Sequence, residues 1–342
     1  MEKYKVLKEL VKCNTIKDKE NKEIINYIEN YLLQLGFKTE LKNKNLIMSI
    51  GENPKVGFLG HTDTVEYIEG WNTIPFELTE KEGNLYGLGV CDMKGGIAAI
   101  LDAISKINLK ELKNGIKLYF TYDEEIGFGG IYDIVNSNEK FPELMIFGEP
   151  TNNEILVGSK GLLEFELNFK GIKAHSSNPE KGKSANMNAV KFLNELDLFY
   201  QENIKNVENK SYEIPYTTMN VGIINGGSAK NSVSANCNVI MDFRTIKKEH
   251  TNIIKQKIEE LSEKYDYTST IIECVEPYIN DCEFVATKKT ANFITEASFI
   301  DSKTKIILGT GPVTAHEVNE HITKESYDEL VKEYQKILIT NA

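Results

Sequence analysis

The sequence predicts an α/β protein: a mostly parallel mixed sheet flanked by helices, interrupted by a smaller inserted module. Two observations predict it. Short apolar runs, Val56-Gly57-Phe58-Leu59-Gly60, Leu118-Tyr119-Phe120-Thr121-Tyr122, Leu144-Met145-Ile146-Phe147-Gly148 and Ile306-Ile307-Leu308-Gly309, suit strands buried on both faces of a parallel sheet. The rhythm of strand, helix and strand that joins the first three changes after Gly161 and resumes only near Ile306. At 342 residues the chain also exceeds the size at which one core usually keeps growing, which predicts two domains.

In chain order, Ile24, Ile25, Ile28, Tyr31, Leu32 and Leu35 share a helical face that Gly36 ends as a left-handed cap would. Residues 45–50 precede the strand that delivers His61. After Asp92, Gly95-Gly96 opens a run with Ile97, Ile100, Leu101, Ile104 and Ile107 at helical spacing, so Asp92 lies just before a helix amino terminus. The next strands run into Asp123-Glu124-Glu125 and into Glu149. Residues 162–169 then alternate as a strand, 185–200 read as helix, 217–224 and 234–243 as strands around Gly226-Gly227, 251–265 as helix and 268–274 as strand. That β-α-β-β-α-β order is ferredoxin-like. The last strand leads through Gly309-Thr310-Gly311-Pro312 to His316, without the spacing of a phosphate loop, and a helix near 324–338 closes the chain. The expected domains are residues 1–160 with 277–342, carrying the catalytic site, and an inserted lid or dimerisation domain at 161–276.

Composition narrows the partners. Apolar residues make up 41% of the chain, its apolar runs stop short of a membrane span, and the start lacks a signal peptide's apolar core. Five scattered cysteines without a C-x-x-C fit reduced thiols, and the chain is expected to be cytoplasmic. A net charge of −11 argues against nucleic acid or an anionic membrane as partner. Of 40 Lys and Arg residues only Arg244 is arginine. Where lysine otherwise serves, a retained planar fork points either to a carboxylate or phosphate ligand or to a chance survivor in a surface ion pair.

Ligands in open parallel sheets gather at the carboxyl ends of the strands. Two histidines, His61 and His316, and several carboxylates would therefore converge on one edge, which is the donor set of a metal site. His250 and His321 are expected at the surface, and Cys91 as a small buried residue.

Five ordered segments carry a family resemblance: Gly60-His61-Thr62-Asp63-Thr64-Val65; Tyr86-Gly87-Leu88-Gly89 with Cys91-Asp92-Met93-Lys94-Gly95-Gly96; Asp123-Glu124-Glu125; Gly148-Glu149-Pro150-Thr151; and Ala315-His316-Glu317-Val318-Asn319-Glu320. Together they resemble the dinuclear zinc aminoacylase and peptidase family, which includes acetylornithine deacetylase, succinyl-diaminopimelate desuccinylase and several carboxypeptidases. The resemblance implies two zinc ions, replaceable by cobalt. His61, Glu149 and one oxygen of Asp92 would hold one ion; His316, Glu125 and the other oxygen of Asp92 would hold the second. Three carboxylates and a bridging hydroxide would leave that shell neutral. Glu124, the spare acid, would be the general base, and Asp63 would fix the His61 tautomer. The resemblance also implies a cis peptide at Asp92-Met93. From the inserted domain, His175 would stabilise the oxyanion, often in a neighbouring subunit's site, which implies a homodimer. Arg244 would hold the substrate α-carboxylate, with Asn231 beside it.

Taken singly, His61 or His316 reads as an ordinary histidine and Glu124-Glu125 as a solvated turn; the five segments in order argue against that. Within the family, residues 292–299 and the Tyr86-Gly87-Leu88-Gly89 segment look more like acetylornithine deacetylase than the desuccinylase. The expected substrate is therefore a small N-acyl amino acid, N-acetylornithine first. Alternatives are a succinyl-diaminopimelate desuccinylase or N-acyl-lysine deacylase, then a dipeptidase or carboxypeptidase, and from another class a binding protein that has lost catalysis.

Overall fold

A computed structural model of the chain describes residues 3–16, 21–283 and 285–342. It divides into two compact units, one of Met1–Val157, Asn280–Thr287 and Thr295–Ala342, the other of Gly158–Ile279 and Lys288–Ile294.

The larger unit is built on a six-stranded sheet. Its strands lie in the order Lys38–Lys42, Leu46–Ile50, Ile116–Thr121, Val56–His61, Leu144–Phe147 and Thr304–Ile307. The last four are mutually parallel, and the first two join antiparallel at one edge. The apolar runs sit in the middle because every residue of Val56–His61 and Leu144–Phe147 is buried, which only a sheet covered on both faces allows. Parallel register sets His61 opposite Thr121, so the loops carrying Asp63 and Glu124 leave the sheet side by side.

The helix Lys94–Ser105 packs against Val56–His61, the first helix Lys5–Lys12 and the last helix Lys324–Asn341. Its seat depends on missing side chains. A Cβ on Gly96 would lie 2.2 Å from the Gly148 carbonyl oxygen, so helix and strand end meet backbone to backbone. This approach brings Asp92, before the helix, near Glu149, after the strand. Gly36 ends the helix Lys22–Gln34 with φ 92°, as its spacing predicts.

In the smaller unit four antiparallel strands lie in the order Thr218–Gly226, Asn236–Thr245, Gly161–Lys170 and Tyr267–Val275. The helices Ala185–Asn203 and Lys248–Tyr265 pack on each other and on this sheet. Alternate residues of Gly161–Lys170, among them Leu163, Phe165, Leu167 and Phe169, are buried against Phe192, Ile254 and Ile258 from the helices.

Two histidines depart from expectation. His250 is 1% exposed rather than superficial, because it lies on the core-facing side of the first turn of Lys248–Tyr265, where its Nδ1 meets the Thr217 hydroxyl at 2.7 Å. Burial pushes its pKa down to about 4. His321 is half-buried, its ring 5.0 Å from that of Tyr86 on the paired strand. Cys91 is fully buried, as expected.

Replacing Gly96 by alanine should therefore cost more than its helix propensity gains. Overpacking of about 1–3 kcal/mol is expected, seen as a lower thermal midpoint for the larger unit; an unchanged or raised midpoint would mean that the two backbones are not in contact.

Candidate metal centre

At the carboxyl edge of the parallel strands, His61, Asp92 and Glu125 each bring a ligand atom within 4.8 Å of the others. His61 Nε2 is 3.0 Å from Asp92 Oδ1 and 3.9 Å from Glu149 Oε2. His316 Nε2 is 3.5 Å from Asp92 Oδ2 and 3.2 Å from Glu125 Oε2. Asp92 thus turns one carboxylate oxygen to each imidazole. Five elements remote in sequence meet here, delivered by strand ends and by the loop before Lys94–Ser105.

The backbone around these groups is tightly specified. Asp123 has φ 56°, a left-handed turn that takes the chain from strand directly into the short helix Glu124–Gly127. The Glu125 amide donates to Asp63 Oδ2 at 3.1 Å, tying this helix to the His61 loop. His61 Nδ1 lies 3.1 Å from the carbonyl oxygen of Asp63. A carbonyl only accepts, so Nδ1 carries the proton and Nε2 faces the acids. The nearer partner of the ring is thus the Asp63 backbone; its carboxylate Oδ1 lies at 3.6 Å. His316 sits at φ 63°, and the Asp92-Met93 peptide is cis.

Electrostatics follow from burial and crowding. Burial raises Glu124 and Glu149 well above the usual carboxylate range, with neighbouring acids adding to it. Burial would likewise raise Asp92, but hydrogen bonds from His316 and His61 outweigh it and hold Asp92 well below. Asp92 and Glu125 push His316 up to about 10. His61 is raised too: burial opposes this, and the bonds to Asp63 and Asp92 win. The donor set suits divalent cations: imidazole nitrogens and carboxylates in tetrahedral-scale proximity, with the acids in excess.

The remaining candidates lie in the smaller unit. His175 is exposed, and the Ser177 amide donates to its Nδ1 at 3.2 Å. An accepting Nδ1 leaves Nε2 to carry the N–H, so this ring offers a donor at Nε2. Exposed Asn231 is in the neighbouring segment, its carbonyl accepting from the Ser176 amide at 3.0 Å. Arg244, near the end of Asn236–Thr245, is half-exposed and donates from Nε to Asp242 Oδ1 at 3.1 Å.

Among the buried charged residues that escaped the sequence reading, three adjoin the segments of this centre. Glu320 is 2% exposed and Glu296 is 1% exposed, burial pushing their pKa values up to about 7 and about 8. Glu296 accepts from the Thr121 hydroxyl at 2.9 Å, just before the turn to Glu124. Lys94 is fully buried, its ammonium donating to the Cys13 carbonyl at 2.8 Å. Glu320 belongs to the His316 segment, but nothing in residue type or spacing separates a buried acid from a solvated one.

Comparison with known proteins identifies the family. The family model described as peptidase family M20/M25/M40 matches residues 57–340. The chain belongs to that family. It is 32% identical to acetylornithine deacetylase of Buchnera aphidicola subsp. Schizaphis graminum, over 96% of this chain and 97% of that protein. In fold it is similar to a tripeptidase from Staphylococcus aureus, with TM-score 0.79, 22% identity and coverage of 98% and 95% of the two chains. It is also similar to a dinuclear metal-binding M20 peptidase from Bacillus subtilis, with TM-score 0.71, 14% identity and coverage of 98% and 96%. This M20 chain is a hydrolase. No helix among its described residues is long and apolar enough to cross a membrane.

The acids raise the proton affinity of both imidazoles, that of His316 to a pKa of about 10, whereas a metal needs their bare nitrogens, so binding must expel protons. Calorimetry of zinc binding at pH 7, in buffers of different ionisation enthalpy, should show net proton release, with contributions from His316, His61 and the raised carboxyl of Glu149. Apparent affinity should rise roughly tenfold per pH unit for each proton expelled, the rise from His316 ending near its pKa of about 10. A pH-independent affinity would contradict the charge state described.

Proposed function

We propose that this M20 hydrolase is a two-metal deacylase that cleaves the amide of an N-acyl amino acid with a basic side chain, N-acetylornithine first. The observation that carries the reaction is Asp92, which offers one carboxylate oxygen to each imidazole, as a ligand bridging two cations must. The substrate rests on the 32% identity to an acetylornithine deacetylase over nearly the whole of both chains.

In this reading His61, Glu149 and Asp92 would hold one ion and His316, Glu125 and Asp92 the other, with zinc as the metal and cobalt as its substitute. The pair would supply a water of lowered pKa and a clamp for the carbonyl oxygen. Asp63 orients His61 and restrains Glu125. Glu124 takes a proton from the attacking water as its oxygen adds to the acyl carbon, then delivers it to the amine nitrogen as the C–N bond breaks. Glu124 adjoins the ligand Glu125 without being needed as a ligand itself, which leaves its carboxylate free to carry that proton.

The smaller unit, the inserted lid or dimerisation domain of this reading, supplies the rest. His175 turns its Nε2–H to the oxyanion, Arg244 receives the α-carboxylate in its planar fork, and Asn231 adds an amide beside it. The enzyme acts as a cytoplasmic homodimer in which His175 serves the partner's site.

An assay of N-acetyl, N-succinyl and dipeptide substrates with added zinc or cobalt tests the assignment. N-acetylornithine should be turned over fastest; preference for N-succinyl substrates would move the chain to the desuccinylases, and two bound metals with no hydrolysis of any substrate would favour a binding protein. Glu124→Gln should keep both metals and lose about 10²–10⁴-fold in kcat. Loss of metal along with activity would make Glu124 a ligand rather than the base.

A further inference from the structure

We infer that Glu320 is a positioning residue for the metal pair: its buried carboxylate, carried on the His316 loop, clamps the backbone that presents Asp92, so both ligands arrive as one unit. The inference rests on the two-metal reading above.

Glu320 Oε2 accepts from the Gly89 amide at 2.7 Å, and Oε1 accepts from the amides of Cys91 at 2.7 Å and Asp92 at 3.1 Å. Its own carbonyl accepts from the Gly87 amide at 3.2 Å. Four of the six residues at positions 87–92 are therefore bonded to one glutamate, whose side chain reaches the backbone of a ligand directly. At 2% exposure no bulk water can replace these bonds. The buried Lys94 ammonium lies close enough to interact with the carboxylate and offset its charge.

The other end of the clamp is equally fixed. Thr314 Oγ1 donates to the His321 carbonyl at 2.7 Å and accepts from the His321 amide at 2.9 Å, closing the loop that holds His316 into a ring. Cys91 Sγ accepts from the Thr314 amide at 3.4 Å, a second tie between the two loops. His316 and Asp92, 3.5 Å apart at Nε2 and Oδ2, are thus held in register by contacts that involve neither of their side chains. Asp92 can meet both imidazoles only if its backbone does not drift, and Glu320 is what holds that backbone.

The test uses full-length protein stripped of metal by chelation, comparing wild type with Glu320→Gln and Glu320→Ala. Thermal unfolding of each metal-free form is followed by zinc titration and by the visible spectrum after cobalt loading. Wild type failing to bind two equivalents would end the two-metal reading itself, whatever Glu320 does. Given two equivalents, Glu320→Gln should unfold within a few degrees of wild type, yet lose about 10–100-fold in metal affinity and change the cobalt spectrum. Wild-type affinity and spectrum in that variant would overturn the inference, as would a lowered midpoint with affinity intact, which is a purely structural role. Hydrogen exchange on wild type gives a reading that needs no variant. The Gly89, Cys91 and Asp92 amides should be protected before metal is added, and rapid exchange there would equally overturn it.

Discussion

The structure is organised around a surplus of negative charge at one edge of a parallel sheet. Asp92, Glu124, Glu125 and Glu149 crowd two imidazoles where burial penalises every ionised acid. Burial raises the proton affinity of Glu124 and Glu149, the nearby acids raise that of both histidines, and the imidazoles hold Asp92 well below the usual carboxylate range. The site is in this sense preformed for cations.

Holding such a cluster together takes backbone rather than packing alone. Strands from Val56, Ile116 and Leu144 bring their ends into line, but the aim of each acid is set by local devices. These are the left-handed Asp123, the Glu125 amide on Asp63, and the glycines at positions 96 and 148 that let helix and strand touch. Each satisfies buried polar backbone or removes a side chain that would separate two elements. The core beneath is ordinary aliphatic and aromatic packing, and its contribution to function is to leave these loops no freedom.

Much of this was legible in the sequence. The buried strands were readable as unbroken apolar runs, and the smaller unit's helices and strands as switches between periods of 3.6 and 2, within a few residues at each end. Of the residues read as ligands, His61, Asp92, Glu125, Glu149 and His316 lie together in the larger unit, because a parallel sheet puts the residues after its strands on one edge. The reading failed where a side chain's burial depends on neighbours far away in sequence. His250 looks like a polar residue at a helix start; its place in the core depends on Thr217, just before the strand Thr218–Gly226.

The apolar runs determined by themselves the fold class, and the order of motifs the family resemblance and the candidate donors, since periodicity and residue chemistry are local properties. Which atom of each donor faces which neighbour was decided only by tertiary structure. The His61 ring leans on the Asp63 carbonyl more closely than on its carboxylate, and Glu320 spends both oxygens on the loop before Asp92. Hydrogen bonds are short and directional, and they join segments far apart, 231 residues for Gly89 and Glu320, which no local pattern encodes.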